Sequence, residues 1–205
     1  GGIFVTEKEH IYIADTNNSR IVELNSKCEF IREIGSPESN VEAVFPRDFR
    51  YLPQKIVVDP AGRIYVIAQN VNEGLLVFSN NGSFSGFIGA PRVSPSPADL
   101  FWSTFATEEQ KKRQKLFLPI EYANIDLNNR GFIYAVESGK TENKSIKLLS
   151  PTGQDVLKRN GFHLPVGDLH FSLSSVFIDI TARNFGGYSV LDHNNGKIFT
   201  YDSNS

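Results

Sequence analysis

Short runs of β-branched and aromatic residues, separated by polar or glycine-bearing turns, recur along this chain. The four clearest runs are each five residues long. Three begin with Ile-Tyr and one begins with Tyr-Ser. Apolar residues follow, and three of the four runs end in an acidic residue. The four runs are Ile11–Asp15, Ile64–Ala68, Ile133–Glu137 and Tyr188–Asp192. Such runs bounded by turn residues predict β-strands.

Each of these runs is the second strand of a predicted set. First strands are predicted before them at Gly1–Thr6, Lys55–Asp59, Ala123–Leu127 and Val176–Ile180. Third strands are predicted after them at Arg20–Leu24, Gly74–Phe78, Ser145–Leu149 and Lys197–Tyr201, and fourth strands at Glu29–Ile34, Ser83–Ile88 and Gln154–Lys158. Asn80-Asn81-Gly82 and Pro151-Thr152-Gly153 predict tight turns, because asparagine and glycine tolerate a positive φ.

Four antiparallel strands repeated in register predict an all-β fold, a β-propeller of four-stranded blades. The predicted blades cover about residues 1–36, 54–90, 122–160 and 175–205, and the last of them lacks a fourth strand. A β-sandwich has strands of similar length, but it does not predict the same strand-turn-strand phrase in each unit. We therefore expect an open propeller segment with an exposed strand edge, prone to pair with another chain.

Two phrases carry a family resemblance. Ile-Tyr-Ile-Ala-Asp-Thr-Asn-Asn-Ser-Arg-Ile at 11–21 and Val-Val-Asp-Pro-Ala-Gly-Arg-Ile-Tyr-Val at 57–66 resemble the NHL-repeat family of six-bladed propellers. The insertion after the second unit and Gly167-Asp168-Leu169 are similar to secreted bacterial NHL-type proteins. The resemblance implies six blades, of which this chain holds about two-thirds, and an extracytoplasmic or secreted location. A chain that starts Gly1-Gly2 and lacks methionine is expected to be cut from a longer one.

Three long connections, at residues 35–54, 89–122 and 159–174, each join a fourth strand to the next first strand. Strand polarity places all three on one face, and insertions on one face of a repeat protein often mark its binding face. The middle one predicts a helical insertion over about 95–118, because Ser96-Pro97 and Thr107 followed by Glu108 and Gln110 are helix-start signals.

Candidate binding residues lie in these insertions. The helical insertion holds the aromatic residues Phe101, Trp102 and Phe105 and a basic cluster around Lys112, and the first insertion holds Arg47, Arg50 and Tyr51. The alternative for the aromatic residues is that they cap the hydrophobic top of the blades. The alternative for the basic residues is a solvated surface.

Composition narrows the function classes. The 205 residues carry 21 basic and 23 acidic side chains, a net charge of −2, so we expect no nucleic-acid partner. No apolar run approaches the length of a membrane span, although an anchor elsewhere in a longer protein stays open. Cys28 is the single cysteine and forms no internal disulfide.

The sequence offers little catalytic chemistry. The spacing of the four histidines does not match a zinc site; they are His10, His163, His170 and His193. The sequence also has no nucleophile elbow and no phosphate-binding loop. Asp15 with Asn18, and Asp192 with Asn195, recur at matching positions, where they either build turns or contribute to calcium sites. Asp59, Asp126 and Asp179 are expected to close their first strands in the same way.

Two hypotheses about function follow. The preferred one is a non-enzymatic, extracytoplasmic binding module without catalytic or metal-ligating residues and without a cofactor, whose insertion-bearing face engages a protein, peptide or glycan. The alternative is a metal-dependent propeller enzyme, a gluconolactonase-like hydrolase or a lyase, whose ligands come from several blades around the channel.

Overall fold

In the computed structural model the described part of the chain is all-β, as the sequence predicts for the blades. The structure describes residues 1–38, 45, 49–71, 73–89, 121–137, 145–158 and 175–203. The predicted helical insertion and the candidate residues Arg47, Phe101, Trp102, Phe105 and Lys112 lie outside these described residues.

Fourteen strands form four antiparallel sheets within the described ranges. Blade 1 comprises β1 (Ile3–Val5), β2 (Ile11–Asp15), β3 (Arg20–Leu24) and β4 (Phe30–Ile34). Blade 2 comprises β5 (Pro53–Val58), β6 (Ile64–Ala68), β7 (Leu75–Phe78) and β8 (Phe84–Ile88). Blade 3 comprises β9 (Tyr122–Leu127), β10 (Ile133–Glu137) and β11 (Ile146–Leu149), and blade 4 comprises β12 (Phe177–Ala182), β13 (Tyr188–Asp192) and β14 (Lys197–Tyr201).

Strand order follows chain order within every sheet. The fourth strand predicted for blade 3 is reduced to one antiparallel bridge between Leu149 and Asp155. The first strands of successive blades contact one another, so they lie innermost, where the blades converge. This is the arrangement of an incomplete β-propeller.

Blades 2 and 3 each bury their two faces against different neighbours, because side chains alternate across a strand. In blade 2, Ile64 and Val66 pack toward blade 1, whereas Tyr65 and Ile67 pack toward blade 3. A third core lies between blades 3 and 4 and contains Tyr134 and Tyr188. Every position of β6 and β10 is therefore buried, which accounts for their nearly continuous apolar sequence.

Turn glycines also join the blades. Gly153 has φ +82°, and a Cβ built on it would lie 2.7 Å from the Cβ of Ile88 in blade 2. Gly82 has φ +88° and approaches Ile34 of blade 1 in the same way. Glycine is required at these turns both for the backbone conformation and for close packing on the preceding blade.

The antiparallel strands place their connections on two opposite faces. The turn face carries the short loops that join first to second and third to fourth strands. The insertion face carries the remaining loops and the three long connections.

Candidate functional site

Two adjoining cavities open on the turn face. The histidine cavity, about 430 Å³, lies between the first-to-second strand loops of blades 1, 2 and 3. The arginine cavity, about 770 Å³, lies between the corresponding loops of blades 3 and 4. Leu127, Asn128 and Asn129 line both cavities, so loops from all four blades contribute to one continuous surface.

A buried carboxylate organises one wall of the histidine cavity. Glu23 is only 4% exposed. Its Oε1 lies 2.8 Å from Nδ1 of His10, and its Oε2 accepts a hydrogen bond from Nε of Arg32. The hydroxyl of Tyr12 also bonds to Glu23. Glu23 thereby fixes an imidazole and a guanidinium, both half-buried, at the cavity wall.

Strand register explains this cluster. Tyr12 pairs with Glu23 across β2 and β3, and Glu23 pairs with Arg32 across β3 and β4. The three side chains therefore stand in one row on the side of blade 1 that faces blade 2. His10 ends the loop that leads into β2, which brings its ring to the same row.

The titration behaviour of the cluster follows from these contacts. Burial by itself would raise the pKa of Glu23, but hydrogen bonds from His10, Tyr12 and Arg32 outweigh it and lower the pKa below its usual value. Burial, and secondly the Glu23 carboxylate, raise the pKa of Tyr12 to about 12. Near neutral pH the carboxylate is therefore charged and the phenol is neutral.

Glu23 was not identified by the sequence analysis, although a signal exists. Val77 and Leu148 occupy the equivalent register position, opposite the tyrosine of the second strand, in blades 2 and 3. In blade 1 that apolar position is an acid that shares its strand face with Ile21. An acid on the buried face of a strand needs partners, and this requirement points to a site.

The arginine cavity has a different chemistry. Its lining includes Arg130 and Arg183, and no acidic side chain is among the described residues that line it. Asn128, Asn129 and Asn184 add amide groups. The wall is therefore cationic and rich in hydrogen-bond donors.

Phe185, at the rim of this cavity, has an unusual conformation. Its side chain is 99% exposed. Its backbone has φ 64° and ψ 22°, in the left-handed region that a bulky residue rarely occupies. The loop is held by a hydrogen bond of 2.8 Å from the hydroxyl of Tyr134 in blade 3 to the carbonyl oxygen of Gly186.

Two of the binding residues predicted on the insertion face, Arg50 and Tyr51, are among the described residues. Arg50 is exposed. Tyr51 is 1% exposed and packs in the core between blades 1 and 2, with its ring 6.1 Å from that of Phe78. Burial raises the pKa of Tyr51. The structure does not bring Arg50 and Tyr51 together with His10, Glu23 or Phe185, which lie on the other face.

The recurrent aspartates of the second-to-third strand loops build turns, as the structural interpretation predicts. Both carboxylate oxygens of Asp15 accept hydrogen bonds from Nδ2 of Asn18, and Arg20 adds a third at 3.0 Å. Asp192 accepts from the side chain and the backbone of Asn195. Within the described ranges, no group of three or more His, Cys, Asp or Glu side chains is arranged to hold a metal ion.

The expected equivalence of Asp59, Asp126 and Asp179 is wrong. Val58 pairs with Ile64 in blade 2 and Leu127 pairs with Ile133 in blade 3, so Asn128 is the residue equivalent to Asp59. Asp126 lies two positions earlier, inside β9. An acid is tolerated there because the innermost strand of blade 4 bonds to it: Thr181 Oγ1 donates to Asp126 at 2.9 Å and the Ala182 amide at 2.8 Å.

Comparison with known proteins identifies the fold. No protein-family model and no curated protein gives a match. Among solved structures, the chain is similar to a streptogramin B lyase, with 14% identity over 98% of this chain and 53% of that one and a TM-score of 0.50. It is also similar to a protein of unknown function from Bacteroides caccae, with 12% identity over 99% and 63% of the two chains and a TM-score of 0.55.

A structural genomics protein of unknown function from Bacteroides thetaiotaomicron is similar as well. The identity is 16% over 98% of this chain and 46% of that one, with a TM-score of 0.53. At these identities the similarity concerns the propeller fold alone. The chain spans between 46% and 63% of the length of these three structures. No helix in the described part of the chain has the length and apolar character needed to cross a membrane.

Proposed function

We propose that this chain is the ligand-binding part of an extracytoplasmic propeller protein, and that its turn face holds the ligand without catalysing a reaction. One observation carries the proposal: the corresponding loops of all four blades form two adjoining cavities on a single face. Cavities of several hundred Å³ with a few fixed polar groups are typical of small-ligand sites. The resemblance to secreted NHL-type proteins supports the location.

The position of Glu23 strengthens the assignment of this face. Burying a carboxylate is costly unless it is fully paired, and an apolar residue occupies the same position in blades 2 and 3. The pairing holds the His10 ring by its Nδ1 and leaves Nε2 without a bond to another described residue. A ligand in the histidine cavity would therefore meet groups whose orientation is already fixed.

The test compares the two faces. A panel of oligosaccharides and short peptides is titrated against the chain by calorimetry, and the ligand found is measured again with three variants. Glu23→Gln and Asn129→Ala on the turn face are each expected to weaken binding at least tenfold. Gln69→Ala, an exposed polar change between β6 and β7 on the insertion face, is the matched control and is expected to have no effect.

The opposite pattern would overturn the assignment. If Glu23→Gln and Asn129→Ala leave the affinity unchanged while Arg50→Ala reduces it, the insertion face is the binding face. That face stays a prediction from the sequence, since most of its candidate residues lie outside the described residues.

A propeller enzyme is the second candidate, and the His10–Glu23 pair is the observation that favours it. A carboxylate on Nδ1 fixes the tautomer of an imidazole and prepares Nε2 to accept or donate a proton. Metal-dependent turnover of a lactone, lost in the His10→Gln variant, would replace the binding-only function with a hydrolase or lyase. The predicted metal-dependent enzyme is tested by the same assay with and without divalent cations.

A further inference from the structure

We propose that the arginine cavity binds an acidic glycan, with a uronic acid carboxylate on Arg130 and Arg183 and a sugar ring against Phe185. This inference rests on the proposed function, because it names the ligand class of the same turn face. Charge, hydrogen-bonding capacity and the conformation of Phe185 support it separately.

Charge selects an anion. Arg130 and Arg183 both line the cavity and both are exposed, with no carboxylate among the described lining residues to neutralise them. Arg183 uses Nη1 for a bond of 3.3 Å to Ser189 Oγ, and the other N–H groups of its guanidinium make no hydrogen bond to a described residue. A guanidinium presents parallel donors that match the two oxygens of a carboxylate.

The asparagines select a ligand with hydroxyl groups. Asn128 uses its Oδ1 for the backbone amides of Arg130 and Phe132, and its Nδ2 makes no hydrogen bond to a described residue. Within the described part of the chain, the side chains of Asn129 and Asn184 make no hydrogen bond. Each primary amide offers a donor and an acceptor together, which is the pattern that neighbouring hydroxyl groups of a sugar require.

Phe185 supplies an aromatic face. A bulky residue in the left-handed region is strained, and asparagine or glycine would relieve that strain. The structure retains the strain because neighbouring contacts hold the loop: Tyr134 bonds to Gly186, and the Arg183 amide donates to the Gly187 carbonyl at 2.8 Å. Strain kept at an exposed, preorganised residue is typical of functional positions.

The open position of the ring favours a sugar over a peptide. Peptide side chains that anchor a complex usually enter desolvated pockets, whereas Phe185 projects into solvent beside the cavity. A pyranose ring has a flat face of C–H groups that packs on such a ring while its equatorial hydroxyls and carboxylate reach polar neighbours. Phe185, the asparagines and the two arginines provide these contacts side by side.

The experiment titrates the chain with trigalacturonic acid by calorimetry, beside the methyl-esterified trimer and triglutamate. The acid trimer is expected to bind at least tenfold more tightly than the ester, which has the same rings without the charge. It should also bind more tightly than the peptide, which has the charge without the rings. Equal binding of acid and ester, or tighter binding of triglutamate, overturns the inference.

Three variants separate a binding role of Phe185 from a structural one. Phe185→Asn is expected to weaken trigalacturonate binding at least tenfold and to raise Tm by about 2–4 °C, because asparagine accepts the left-handed conformation. Phe185→Tyr is expected to recover the affinity without the gain in Tm. Phe30→Leu, which removes an exposed aromatic ring from blade 1, is the matched control and is expected to bind as wild type.

The outcomes also separate the two proposals. If another member of the panel binds and turn-face variants weaken it, the ligand class is wrong and the binding face stands. If no ligand responds to any turn-face variant, both proposals fail. A Phe185→Asn variant that binds trigalacturonate like wild type refutes the role assigned to the aromatic ring.

Discussion

At the scale of single residues, Glu23 gives blade 1 a polar cluster at a register position that is apolar in blades 2 and 3. The same register position holds valine in blade 2 and leucine in blade 3, where it contributes to packing. In blade 1 the carboxylate is satisfied by His10, Tyr12 and Arg32. Removing a buried acceptor leaves its donors without partners, which costs more than the original bonds contributed.

We expect Glu23→Gln to lower the free energy of unfolding by about 1–2 kcal/mol at pH 7, since its partners are half-exposed and partly screened. The folded-state pKa of Glu23 lies below its unfolded value, so its contribution is present above about pH 4.3 and is lost as the pH falls through the folded value. The difference between wild type and variant should therefore shrink in acid.

Urea unfolding of both proteins between pH 7 and pH 3 measures this difference. A gap that stays constant with pH would mean that the carboxylate charge does not stabilise the fold.

At the scale of elements, the second strands carry a repeated tyrosine that joins the core to the turn face. Tyr12, Tyr65 and Tyr134 all direct their rings toward the next blade. Their hydroxyls then bond near the cavities: Tyr65 to Asp59 at 3.1 Å, and Tyr134 to Gly186 at 2.8 Å. Burial raises the pKa of Tyr65 and Tyr134, so both act as neutral donors. The tyrosine of the Ile-Tyr pair thus packs its ring between two blades, and in blades 2 and 3 its hydroxyl also bonds to a group on the turn face.

Tyr134→Phe tests this link. Loss of the bond to Gly186 should destabilise the protein by about 1 kcal/mol, because the ring keeps its packing and only a hydrogen bond is lost. Hydrogen exchange of the Arg183–Gly187 loop should accelerate, while exchange in β10 should not. Unchanged loop exchange would show that the Tyr134 bond does not position Phe185.

At the scale of the whole molecule, no described blade packs on the outer face of blade 1, whereas the equivalent faces of blades 2 and 3 pack on blades 1 and 2. Val5, Ile11, Leu24 and Phe30 form one cross-strand row on this face. Ile3, Val5 and Phe30 are 70%, 57% and 63% exposed. Exposed apolar sheet surface of this kind favours association.

We expect the chain to associate with a second copy through this face. In sedimentation velocity, the double variant Val5→Thr, Phe30→Thr should be more monomeric than wild type. Its dissociation constant for self-association should be at least tenfold higher. Lys27→Gln, on an exposed turn of the same blade, is the control. A wild-type chain that stays monomeric at the highest soluble concentration would contradict this expectation.

Much of the fold was accessible from the sequence, because strands, turns and repeats are local features. The short β-branched and aromatic runs and the turn glycines determine the strands and the blade type, and the Asp-Asn pairs determine the loops between second and third strands in blades 1 and 4. Two errors arose where register matters: the equivalence of Asp59 with Asp126, and the fourth strand of blade 3. The exact end of a strand depends on pairing with its neighbour, which a single segment does not specify.

The sequence by itself determined the composition of each blade and the face to which each loop belongs. Only the tertiary structure decided which of the two faces holds the described cavities. Glu23 and His10 are 13 residues apart, and Phe185 is held by a tyrosine 51 residues earlier in the chain. The His10–Glu23 pair forms within blade 1 by strand pairing. The cavities form only when blades pack and bring separate loops together, so no spacing within one repeat could indicate them.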